Sequence, residues 1–117
     1  MNPRYLLAGA LFALTCTLAI QPAMAGEPYA KITSPADGAK LDAKALNKIE
    51  YEVDPGPRGD HVHLYVDDKE AAILRKLSGT HTLPETLPPG QHTICIKVVN
   101  KGHVPIGVEK CIKVSSE

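Results

Sequence analysis

His61-Val62-His63-Leu64-Tyr65-Val66-Asp67 alternates polar and apolar side chains without interruption. Such alternation is the signature of a β-strand with one buried face, here Val62, Leu64 and Val66. The same period of two recurs on both sides of this stretch. Lys48 to Val53 places Ile49, Tyr51 and Val53 on one face. His92 to Val99 does so with Ile94, Ile96 and Val98, and Glu109 to Ser115 with Ile112 and Val114. Ala30 to Thr33 is a further short run, and His81 falls in another, where parity leaves its face open. Lys69 to Leu77 reads as an edge strand, with a turn of helix as the alternative. Between the runs stand turn formers: Ser34 to Gly38, Asp54 to Gly59, Asp67 to Lys69, Ser78-Gly79, Pro88-Pro89-Gly90 and Lys101-Gly102. Short strands punctuated this closely predict an all-β fold, a small antiparallel sandwich.

Outside this pattern lies the first stretch of the chain. Arg4, an apolar run from Leu6 to Ile20, and Ala23-Met24-Ala25 form the three parts of a secretory signal peptide, residues 1–25. The run is short for a membrane span and ends in Gln21-Pro22. Cys16 lacks the small residues that a lipidation signal places before its cysteine. The expected product is periplasmic or secreted, with no membrane span after cleavage, and consists of residues 26–117. Cleavage removes one base and no acid, so 12 bases face 13 acids. A near-neutral chain without a basic stripe is not a nucleic-acid binder. Residues 26–117 contain no Phe, Trp or Met, so the core must be aliphatic.

A domain of this size buries little more than about 60% of its unfolded surface, and a covalent staple helps it. Cys95 and Cys111 are the two cysteines left after cleavage. In an exported protein they are expected to form a disulfide, the alternatives being a free thiol or a metal thiolate. If Val98 pairs near Val108, Cys95 falls opposite Cys111 in the last hairpin, and both point away from the core.

Two resemblances are carried by particular motifs. Ile32-Thr33-Ser34-Pro35-Ala36-Asp37-Gly38-Ala39 is similar to the opening of many bacterial immunoglobulin-like domains. Gly59-Asp60-His61-Val62-His63-Leu64, Leu87-Pro88-Pro89-Gly90-Gln91-His92-Thr93 and His103-Val104-Pro105 together resemble an uncharacterised family of small exported bacterial proteins. In that family G-H-H-H-L, L-P-P-G-x-H-T-L and H-x-P occur in this order. The chain departs from the pattern at Asp60, Val62 and Ile106, where the family pattern has histidines, and its cysteine pair is additional. The resemblance implies an exported immunoglobulin-like fold and no settled activity.

In an immunoglobulin-like order the strand from His61 and the strand from His92 are antiparallel neighbours, third and sixth. His61, His63 and His103 then share one end of the sandwich, beside Asp60, and His92 lies at the other. Three imidazoles with a carboxylate suit copper or zinc, and these three histidines are the candidate metal ligands. The competing reading makes them surface histidines packing against Thr93 and Lys97, with the Lys97 charge opposing a cation; a proton-sensing or anion-binding role is the third. His92 is expected to bond a carbonyl of its preceding loop. Asp67-Asp68 with Glu70 lacks the spacing of a calcium loop. Copper–zinc superoxide dismutases also carry a His-Val-His strand, but their bridging histidine and long zinc loop have no counterpart here. A blue-copper site needs a methionine, and the copper-resistance carriers use an N-terminal histidine; the mature chain has neither. The serines lack an evident base. The expectation is a binding domain and not an enzyme, with a structural or protein–protein interaction domain, bound to an unknown protein partner, as the alternative function.

Overall fold

The computed structural model describes residues 26–117, so the signal-peptide expectation lies outside the described residues. Among the described residues there are eight strands: β1 (Tyr29–Ser34), β2 (Lys40–Leu41), β3 (Lys48–Asp54), β4 (His61–Val66), β5 (Lys69–Leu74), β6 (Ser78–Thr82), β7 (Gly90–Val99) and β8 (Pro105–Ser116). No helix occurs among the described residues. One sheet has the order β1-β3-β6 and the other β2-β8-β7-β4-β5. The architecture is the expected immunoglobulin-like sandwich. The segment from Lys69 is a strand and not a helix, and it ends at Leu74.

The inward faces are those the alternation predicts. Ile49, Tyr51 and Val53 of β3 meet Val62 and Leu64 of β4, Ile94, Ile96 and Val98 of β7, and Ile112 and Val114 of β8. Burying each of these side chains contributes roughly 1.5–3 kcal/mol against exposure. Leu83 and Leu87, from the loop between β6 and β7, add to the same cluster. Tyr51 pairs its hydroxyl with the carbonyl of Lys76 at 2.8 Å, which satisfies the one polar atom it brings inside. His81 lies opposite Ile49 in the β3–β6 register and therefore shares its inward face.

Turn chemistry positions the sheet that carries the candidate ligands. Asp67 and Asp68 both have positive φ, 50° and 67°, and form the two-residue link between β4 and β5. At the start of β4, Gly59 has no room for a side chain. A Cβ there would sit 2.4 Å from the Pro55 carbonyl oxygen and 2.6 Å from Val98 Cγ1. This close approach brings Asp60 and His61 against the end of β7, where the Asp60 amide donates to the Val99 carbonyl at 2.8 Å.

The β7–β8 hairpin has the register anticipated from the cysteines, with Cys95 opposite Cys111, and their sulfurs are bonded. Two features were not anticipated. β2 is only two residues long and pairs in parallel with β8. β8 also begins early, at Pro105, across an irregularity in its pairing with β7.

Candidate metal centre

β4 supplies two of the three histidines. Val62 and Leu64 point to the core, so His61 and His63 emerge together on the opposite face. The competing reading makes that face a wet surface, yet His61 is only 1% exposed and His63 5%. Val99, opposite His61 on β7, is fully buried while standing outside the main core cluster. The turn between β7 and β8 returns at this corner of the sheet and brings in His103.

The turn is built around Asn100. Its side-chain oxygen accepts from the amides of Gly102 and Val104 at 2.8 and 3.1 Å, and its carbonyl accepts from the His103 amide at 2.9 Å. His103 adopts a φ of 63°, a left-handed conformation in which histidine is several-fold enriched among non-glycine residues. Asn100 was not singled out in the sequence, although an Asn two residues before a glycine is a recognisable turn signal.

Three ring nitrogens converge at this corner. His61 Nε2, His63 Nε2 and His103 Nδ1 are each 3.1 Å from the other two. The ring centroids stand 5.0, 4.7 and 5.2 Å apart, farther than the nitrogens. The rings therefore radiate from a common point, and their nitrogens face it. His61 donates from Nδ1 to Asp60 Oδ2 at 2.9 Å, which leaves its Nε2 with a lone pair directed at the other two rings. Glu70 Oε1 lies 3.7 Å from His63 Nδ1, on the side of that ring away from the cluster.

The electrostatics keep the His63 imidazole ready as a ligand. Burial pushes the His63 pKa down, and the neighbouring His61, His103 and Arg75 push in the same direction against Glu70. Asp60 is held below the usual carboxylate range, chiefly by its hydrogen bond from His61; partial burial opposes this, and Lys101 and Arg75 assist it. Three nitrogens at 3.1 Å cannot all be satisfied by hydrogen bonds among themselves, because a proton between two of them leaves the third facing a lone pair or a second proton. A cation at the centre satisfies all three.

Lys97 behaves differently from the expectation. It lies opposite His63 in the register, but its ammonium sits 4.9 Å from the centre of the Tyr65 ring and 3.9 Å from Glu109 Oε2. The long side chain carries the charge along the sheet face and away from the histidines.

His92 is placed as expected. His92 stands at the opposite end, where Nε2 donates to the Pro88 carbonyl at 2.6 Å and Nδ1 to the Asp67 carboxylate. Both ring nitrogens face acceptors, which favours the imidazolium form, and the pKa is raised by Asp67 first and Pro88 second. Asp67 also accepts from the Thr93 amide at 2.9 Å, so it clamps the β4–β5 turn to β7. A groove of about 470 Å³ lies beside this clamp, lined by Val66, Glu70, Leu83 and Leu87 among others. It is distinct from the histidine cluster.

No family model and no curated protein matches the chain. Among solved structures, the fold is similar to the fibronectin(III)-like modules of Clostridium thermocellum CbhA, with a TM-score of 0.62 and 15% identity over 75% of this chain and 95% of that one. A lytic polysaccharide monooxygenase of Jonesia denitrificans matches with a TM-score of 0.46 and 18% identity, over 71% of this chain and 60% of that one, a level that carries no functional inference. The first likeness shows the fold: an immunoglobulin-like β-sandwich of the fibronectin III kind.

Proposed function

We propose that this protein is an exported, non-catalytic binding domain that holds a divalent transition metal, copper or zinc, through His61, His63 and His103. The observation that carries the reading is the convergence of three imidazole nitrogens at 3.1 Å on one point, two of them on buried rings. The Asp60–His61 pair adds the carboxylate that orients a metal-ligating histidine. Export rests on the signal-peptide pattern and agrees with the Cys95–Cys111 disulfide. No described helix is long and apolar enough to cross a membrane.

A second reading, a protein-interaction domain, is favoured by Ile73 and Val104. Both are large apolar residues about half exposed, at 47% and 56%. Ile73 lies opposite His63, and Val104 follows His103 directly.

Titration of residues 26–117 with Zn(II) and Cu(II) against a chromophoric chelator separates the two. Saturable one-to-one binding that is lost in the His61→Ala/His63→Ala double variant supports the metal site. Absence of saturable binding, or equal binding by a folded variant, overturns it and leaves the interaction domain.

A further inference from the structure

We infer that the three-histidine cluster is shaped for a tetrahedral ion, zinc rather than planar Cu(II), and that the fourth position on that ion takes a small anion. This rests on the metal reading above and adds the ion's geometry and its exchangeable ligand.

A planar Cu(II) ion bound by three imidazoles sets two of them on opposite sides, their nitrogens about 4 Å apart, twice a bond of about 2.0 Å. No pair here is so far apart; all three separations are 3.1 Å. An ion about 2.05 Å from each nitrogen stands roughly 1 Å off their common plane, with angles of roughly 100° between its bonds. That is a three-ligand face lying between the roughly 90° of an octahedron and the roughly 109° of a tetrahedron, which excludes the planar arrangement, and zinc held by imidazoles favours the four-coordinate end. Reaching the planar arrangement requires one pair to separate by almost another 1 Å. His61 and His63 are buried neighbours on one strand face, and His103 is fixed by the four hydrogen bonds that Asn100 makes within the turn. A flexible site follows the general preference for copper over zinc, whereas one held in this shape opposes it.

The charge around the site points to the fourth ligand. Neutral imidazoles offset none of the ion's charge. Asp60 and Glu70 are the nearby acids, and Arg75 and Lys101 are the nearby bases. The two pairs cancel, which leaves the double positive charge of the ion without a counter-charge. Lys97 is drawn off to Tyr65 and Glu109 and takes no part. A small anion, whether hydroxide, a carboxylate or an inorganic anion, completes both the coordination and the charge.

The test uses Co(II), whose visible absorption is intense in four-coordinate sites and weak in six-coordinate ones, with azide as the anion. The Co(II)-loaded protein is expected to absorb strongly, and azide is expected to change the spectrum saturably. The Arg75→Ala/Lys101→Ala double variant is expected to bind azide several-fold more weakly. A weak six-coordinate spectrum, a strong spectrum that azide leaves unchanged, or a planar Cu(II) resonance pattern would each overturn the inference while leaving metal binding intact. Equal azide affinity in the double variant would overturn the charge argument. No saturable uptake of Co(II) or Zn(II) would overturn the metal reading itself.

Discussion

His103→Asn removes one of the three proposed ligands while keeping the turn that presents it. Asparagine tolerates the left-handed backbone that residue 103 adopts, whereas alanine is strained there. The amide donating to the Asn100 carbonyl is retained. Without metal, the variant should melt at or above the wild-type temperature, because one of three mutually facing nitrogens is gone. With metal the two proteins should diverge. Zinc at about 100 times its dissociation constant stabilises the wild type by about 2.7 kcal/mol. For a domain of this length that raises the melting temperature by roughly 10–20 °C. If the variant loses about 100-fold in affinity, the upper end of what even an outer-shell change costs, the stabilisation falls to about 0.4 kcal/mol. The shift then shrinks to roughly 2–3 °C. Differential scanning fluorimetry over a zinc series, with the chain freed of metal beforehand, reads both numbers. Equal zinc-induced shifts in the two proteins would show that His103 is not a ligand and that the convergence at 3.1 Å is packing alone.

Asp60→Ala should weaken zinc binding by about 10–100-fold, since it frees the His61 ring to take the wrong tautomer; calorimetry showing unchanged affinity would refute the orienting role. Replacing Cys95 and Cys111 together by alanine should cost about 3 kcal/mol in urea unfolding, the entropy of a loop of about 15 residues, and a loss below about 1 kcal/mol would show that the hairpin does not need its staple. His92→Gln tests the clamp at the far end. A raised His92 pKa contributes fully below about pH 6.5 and fades as pH rises through the folded value; a lowered Asp67 pKa contributes above about pH 3.9 and fades as pH falls through its own. Burial by itself would raise Asp67, but its bonds from His92 and the Thr93 amide outweigh it. The variant should therefore lose most stability relative to wild type near about pH 5 and less near about pH 8; urea melts showing the reverse order would refute the assignment.

The alternation in β3, β4, β7 and β8 carries the sandwich, because each apolar position repeats with the period of a strand and leaves one register open to the core. Topology then places His103 beside His61 and His63, and the cysteines confirm the hairpin that does it. Other features lie beyond local pattern. β2 is two residues long, too short for any period, and β8 opens at Pro105 through Ile106 and Gly107, a start that obscures a strand. The burial of His61 and His63 depends on a turn some forty residues away, so a polar strand face reads as wet until that turn is seen to cover it. Lys97 was misjudged for a similar reason: register places its Cβ, but four methylenes decide where its charge goes.

β4 serves two ends with opposite faces. Val62 and Leu64 hold the sandwich together, while His61 and His63, one residue out of step, make no demand on the core. If the proposed site holds metal, metal capacity and foldedness are inherited through the same six residues but vary independently. A lineage can abandon the ion by a single change at exposed position 103 and keep an intact module. Regaining it is equally short, because the two ligands hardest to place remain seated on the strand. Among related sandwiches, presence or absence of the third histidine is therefore expected to switch more readily than the scaffold diverges.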